Sequence, residues 1–110
     1  MPQSINAPIV SQLANHPDMA ELIDLFVSEL PSRVDSVAQA WQSKELTGLR
    51  RLAHQLKGSC AGYGFPVLGD AAGKLEKSLD SQAALNEVAG QVNELIELCR
   101  RAAAPQRRAA

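Results

Sequence analysis

Cysteine is scarce in this chain: 110 residues hold two. Both Cys60 and Cys99 fall inside apolar periodic segments, so they read as small core thiols. A disulfide framework is not indicated, and no His or Cys cluster has metal-ligand spacing. Long apolar runs are also missing. No stretch approaches the roughly 18 residues of a membrane span, and the N-terminus lacks the basic-then-apolar order of a signal peptide. Membrane insertion is therefore not expected, and the cytoplasm is the expected location. Nor is there an excess of charge of one sign: 11 Lys plus Arg stand against 12 Asp plus Glu. That balance gives no global attraction to nucleic acid or to an anionic membrane. The sequence carries no nucleotide-binding glycine motif and no internal repeat. It is too short for a nucleotide-binding fold plus a substrate domain.

What is present is an ordinary globular composition, 45% apolar and 21% charged, arranged with helical period. Pro17 and the Asp18-x-x-Glu21 pair resemble a helix start with capping-box spacing. Leu22, Ile23, Phe26, Leu30, Val34, Val37 and Trp41 then recur at steps of three and four. Pro31 interrupts that stripe without shifting its phase, which predicts one kinked helix in preference to two collinear pieces. Ser43 is expected to cap a second helix from about Lys44 to Ala61, with Leu46, Leu49, Leu52, Ala53, Leu56 and Cys60 on one side. Gly62-Tyr63-Gly64 is a turn signal, and Pro66 suits the first position of a third helix. Its inward stripe is Leu68, Ala71, Ala72, Leu75 and Leu79. Asp80 or Ser81 is expected to cap a fourth helix, whose stripe runs from Leu85 through Val88, Ala89, Val92, Leu95 and Ile96 to Cys99.

The predicted fold class is all-α: an antiparallel four-helix bundle over residues 16–101, with the two central helices as a hairpin. Residues 1–15 are expected to form an N-terminal arm or a short extra helix, and residues 102–110 a flexible tail or linker.

On a helical wheel Thr47, Arg50, His54, Lys57, Gly58 and Ala61 share a face turned away from the leucines. Lys57 lies about 60° from His54 and Gly58 about 40°. A solvent-facing imidazole with one unprotonated nitrogen is a usable nucleophile, and a lysine one turn on can offer charge to a phosphoryl group on the ring. Glycine costs roughly 1 kcal/mol relative to alanine within a helix, so Gly58 invites a reason, and room for a phosphoryl group and a docking partner is one. Taken singly, each of these residues is also what a solvated helix face carries. No complementary acid for His54 and no substrate pocket is apparent, so a general-base enzyme is not favoured. Ser59 turns toward the core boundary, and a catalytic serine is not expected there.

The segment Ala53-His54-Gln55-Leu56-Lys57-Gly58-Ser59, followed by Gly64 and then Leu75-Glu76, closely resembles the signature of histidine-containing phosphotransfer (HPt) domains. The resemblance spans roughly Asp18 to Cys99. It implies that His54 is the phosphorylated nucleophile through its outer ring nitrogen, that Lys57 stabilises the phosphoryl group, and that Gly58 keeps the approach open. Leu56 would anchor the face in the core, and Gln55 would contact phosphate or partner. Tyr63, Phe65 and Pro31 depart from the family's habit, with consequences for hairpin packing and partner choice rather than for His54.

The resemblance further implies a two-way relay without autonomous kinase activity. A receiver-domain aspartyl phosphate would donate to His54, and the phosphohistidine would donate to another receiver aspartate. The partners would be response-regulator receiver domains, on their own or within a hybrid sensor histidine kinase. No cofactor is expected on this chain, whereas Mg²⁺ is expected in the receiver. Arg50, Arg51, Ala61 and Lys74 are the expected partner-facing residues, and the chain is expected to be a monomer. Two alternatives stand beside this reading: direct phosphorylation by a histidine kinase catalytic domain, and a helical adaptor that is never phosphorylated.

Overall fold

The computed structural model describes residues 7–104. Four helices follow one another, α1 (Ala20–Gln42), α2 (Leu46–Gly62), α3 (Pro66–Asp80) and α4 (Leu85–Arg101). Each packs on the next and α4 closes on α1. With three short connections this cycle is an antiparallel four-helix bundle. The core is built by the periodic stripes: Ile23, Phe26, Leu30, Val34 and Val37 from α1, Leu49, Ala53, Leu56 and Cys60 from α2, Leu68 and Leu75 from α3, and Val88, Val92 and Leu95 from α4. Pro31 lies on the exposed side of α1, which runs through it as a single helix. Both thiols are buried, and desolvation pushes Cys60 up to about 12 and Cys99 to about 11, so both remain protonated and unreactive at neutral pH.

The stripes are right in period but overreach at their N-terminal ends. Leu22, Leu46 and Leu85 were expected inside, yet all three are exposed. Side chains lean toward a helix's N-terminus, so a leucine in the first turn points past the end of the bundle.

The expected caps also differ. No side-chain cap hydrogen bond is made at the start of any of the four helices, and Met19, Glu45, Phe65 and Ala84 occupy the N-cap positions. Ser43 and Ser81 instead follow the ends of α1 and α3, and Asp80 is the last residue of α3. The reason is a shared mode of termination. Lys44, Gly64 and Gln82 each adopt positive φ, at 56°, 85° and 57°. Around them Glu45 N–H donates to Ala40 O, Phe65 N–H to Cys60 O and Ala83 N–H to Ser78 O. A left-handed residue with that six-to-one bond is the Schellman ending. Only one of the three carries the glycine that announces it.

No extra helix forms in the described part of the N-terminal arm. Ile9–Val10 is a strand, β1, pairing in parallel with β2 (Ala102–Ala103), and residues 12–15 are consecutive turns. Parallel pairing satisfies the backbone in both segments. Ala102 and Ala103 are thus ordered against the arm, while the remainder of the expected tail, from residue 105, and residues 1–6 lie outside the described residues. The arm also secures the central hairpin. Gln12 N–H donates to Gly64 O at 2.8 Å, and the buried Ser11 hydroxyl donates to Tyr63 O at 2.6 Å. Phe65 is fully buried and Tyr63 stacks on Phe26 at 4.6 Å between ring centroids, so this pair packs inward at the hairpin. Among the described residues no helix is long and apolar enough to cross a membrane.

Candidate functional site

His54 and Lys57 project from α2 on the side opposite Leu49, Ala53 and Leu56. Their side chains retain 62% and 50% of their exposure. α3 lies close beside them, because Gly69 carries no Cβ: one placed there would stand 3.2 Å from the Lys57 carbonyl oxygen and 3.5 Å from Ala61 N. That approach brings Glu76, one residue beyond the core leucine Leu75, beneath the histidine. The Glu76 side chain is only 9% exposed.

Three cationic or protonatable groups share that carboxylate. His54 Nδ1 is 2.9 Å from Oε2, Lys57 Nζ is 3.1 Å from Oε1, and Arg50 Nη2 is 3.4 Å from Oε2. Arg50 is held in turn by Asp80, through Nε to Oδ1 and through Nη2 to Oδ2 at 3.3 Å. Lys57 first, and His54 after it, hold the Glu76 carboxyl below the ordinary carboxylate value, against the opposite pull of burial. The Arg50 guanidinium does the same for Asp80. Glu76 is therefore an anion at neutral pH. An ionised carboxylate can only accept, so a neutral imidazole beside it must place its proton on Nδ1 and leave the Nε2 lone pair bare. The nitrogen left free to accept a bond is thereby the one facing away from Glu76.

The other residues singled out in the sequence fall into distinct places. A Cβ at Gly58 would meet nothing within 4 Å, so among the described residues nothing requires glycine there and the surface beside His54 is open. Gln55 is exposed and its side chain makes no hydrogen bond among the described residues. Arg50 leans toward α3 and joins the carboxylate network. Arg51 lies toward α1, lining a shallow depression with Ser36, Gln39 and Leu52. Ala61 is exposed at the seam with Gly69, and Lys74 is exposed with no ion pair among the described residues. Among the described residues no group of three or more His, Cys, Asp or Glu side chains is arranged for a metal ion.

Asp80 is the member that sequence reasoning missed, and Glu76 stood in the family signature without a role at the site. The reading that no complementary acid is apparent for His54 is corrected by Glu76, whose Oε2 lies 2.9 Å from Nδ1. Its signal was its place directly after the core leucine Leu75, in the pair that carries part of the family resemblance. Asp80 had been read as a helix cap.

A family model for the Hpt domain matches residues 21–105. The chain belongs to the Hpt family. Hpt domains carry phosphoryl groups between histidine and aspartate in two-component relays, work with receiver-domain proteins, and have no kinase activity of their own. The match takes in all four helices and the His54 surface of this Hpt domain. Comparison with curated proteins gives no match, and comparison with solved structures gives none.

Proposed function

We propose that this Hpt domain accepts a phosphoryl group on Nε2 of His54 from the aspartyl phosphate of one receiver domain and passes it to the aspartate of another, acting as a monomer. The observation that carries the reading is the His54–Glu76 pair. With Nδ1–H donated to a buried carboxylate, the neutral ring carries its lone pair on Nε2, directed outward. In the forward step its lone pair forms the N–P bond as the O–P bond to the receiver aspartate breaks, and the aspartate leaves as a carboxylate. The ring gains positive charge in that step, which the Glu76 anion stabilises. Lys57 supplies charge beside the incoming phosphoryl oxygens, and Gly58 leaves the rim clear for the receiver. Mg²⁺ belongs to the receiver's acidic pocket, not to this chain. Arg50, Arg51, Ala61, Lys74 and Gln55 frame the docking surface around His54, where basic side chains favour encounter with an acidic pocket.

The test is transfer from labelled phospho-receivers in the presence of Mg²⁺, comparing the unchanged chain with His54→Gln. Acid-labile, base-stable label that disappears in the variant is the expected result. No label from active receivers, but label from a histidine kinase catalytic domain with ATP, would replace the first step with direct phosphorylation. No label from either source would leave the helical adaptor.

A further inference from the structure

α3 carries a second helical glycine beside the site, with an unusual neighbour. A Cβ built on Gly73 would stand 3.1 Å from Cδ and 3.7 Å from Cγ of Lys57. At Gly69 the obstructing atoms are mainly backbone, and at Gly58, Gly62 and Gly90 nothing lies within 4 Å. Gly73 is thus the helical glycine whose missing side chain is replaced by the stem of a site residue. The lysine lies across it to place Nζ at 3.1 Å from Glu76 Oε1, on the same carboxylate that holds the imidazole. Lys57, Gly73 and Glu76 together line a shallow depression next to His54.

We propose that Gly73 is a positioning residue for Lys57: the bare glycine gives the lysine stem a track over α3 that directs Nζ to Glu76 and holds it beside the phosphoryl-carrying imidazole. The proposal rests on the phosphotransfer reading of His54. A methyl at this position meets only the middle of a flexible, half-exposed chain, so the lysine yields and the backbone does not. The stem then leaves its track and the contact of Nζ with Glu76 lengthens. Alanine is a better helix former than glycine. Gly73→Ala should therefore impair transfer as Lys57→Ala does while gaining helix propensity, so that in the Lys57→Ala background, where the Glu76 contact is already gone, it keeps or raises the melting temperature, a combination that lost packing does not produce.

The experiment measures transfer rate and Tm for Gly73→Ala, Lys57→Ala and the double variant, with Gly90→Ala as the helix-propensity control and the Glu76 carboxyl titrated by NMR in each. Gly73→Ala should transfer roughly tenfold more slowly, the loss expected from weakening one charge-assisted contact. Its Glu76 pKa should rise, and the double variant's Tm should be no lower than that of Lys57→Ala. Adding it to Lys57→Ala should have no further effect on rate, and Gly90→Ala should transfer normally. An unchanged rate, an equal loss in the Lys57→Ala background, or a Tm of the double variant below that of Lys57→Ala would each overturn the proposal. If the unchanged chain takes no label at all, the phosphotransfer reading has failed. The titration then decides the positioning by itself: a raised Glu76 pKa in Gly73→Ala upholds it, and an unchanged one overturns it.

Discussion

Nδ1 of His54 stands 2.9 Å from Oε2 of Glu76, across the seam between α2 and α3. A half-exposed histidine is thereby fixed by a nearly buried anion, and one contact sets both the ring's tautomer and its orientation. Glu76→Gln should weaken this without emptying the position, since an amide oxygen can still accept from Nδ1–H but carries no charge. Transfer should fall roughly tenfold, as for loss of one charge-assisted hydrogen bond. Long-range ¹H–¹⁵N spectra should show the Nδ1–H tautomer in the unchanged chain and a mixture in Glu76→Ala. A mixture already present in the unchanged chain would remove the basis for an Nε2 nucleophile.

The same carboxyl makes stability pH-dependent. Its pKa is lowered in the folded chain from an ordinary value of 4.5, chiefly by Lys57, and that of Asp80 from 3.8, chiefly by Arg50. A carboxyl lowered on folding contributes fully above its unfolded value, and the contribution is lost as pH falls through the folded value. Tm should therefore decline as pH drops below about 4.5. Thermal melts of Glu76→Gln should show a shallower acid-side slope, and an identical slope would mean that Glu76 titrates normally.

Gly58 separates stability from access. A Cβ there meets nothing within 4 Å among the described residues, so Gly58→Ala should leave stability unchanged or raise it by up to about 1 kcal/mol in urea titrations. A bulkier Gly58→Leu should slow transfer from a receiver while leaving labelling by a small phosphoramidate donor near normal. Equal loss with both donors would place the obstruction at His54 itself instead of at the docking partner.

The Schellman endings give two predictions of opposite sign. Gly64 sits at φ 85°, where a Cβ would come within 2.4 Å of Ser11 Oγ and 3.0 Å of Leu13 N. Gly64→Ala should destabilise by about 1–3 kcal/mol from the backbone alone. Gln82 occupies the equivalent place after α3 at φ 57°. Gln82→Gly should add about 1 kcal/mol by relieving a left-handed residue that bears a Cβ. Urea denaturation of the two variants checks both.

Much of the bundle was legible because a helix writes its buried face into residues three and four apart. The stripes through Phe26, Leu56, Leu75 and Val92 needed no tertiary knowledge to find. Helix ends were less legible. Ser43, Asp80 and Ser81 are cap-forming residue types, but the chain uses them to finish helices, and Lys44 and Gln82 take a conformation usually signalled by glycine. The arm's pairing with Ala102–Ala103 left no mark either, since two-residue strands have no period to read.

By itself the sequence determined the helical order, the turn at Gly64 and the face of α2 that His54, Lys57 and Gly58 share. Each of these depends on backbone geometry within one or two turns. Tertiary structure decided what His54 touches. Glu76 is 22 residues away, and its meeting with the imidazole depends on how far α3 slides along α2 and how closely it approaches. Gly69 sets that approach through the volume it lacks. The carboxylate that holds the histidine comes from another helix, and no periodicity within α2 can specify it.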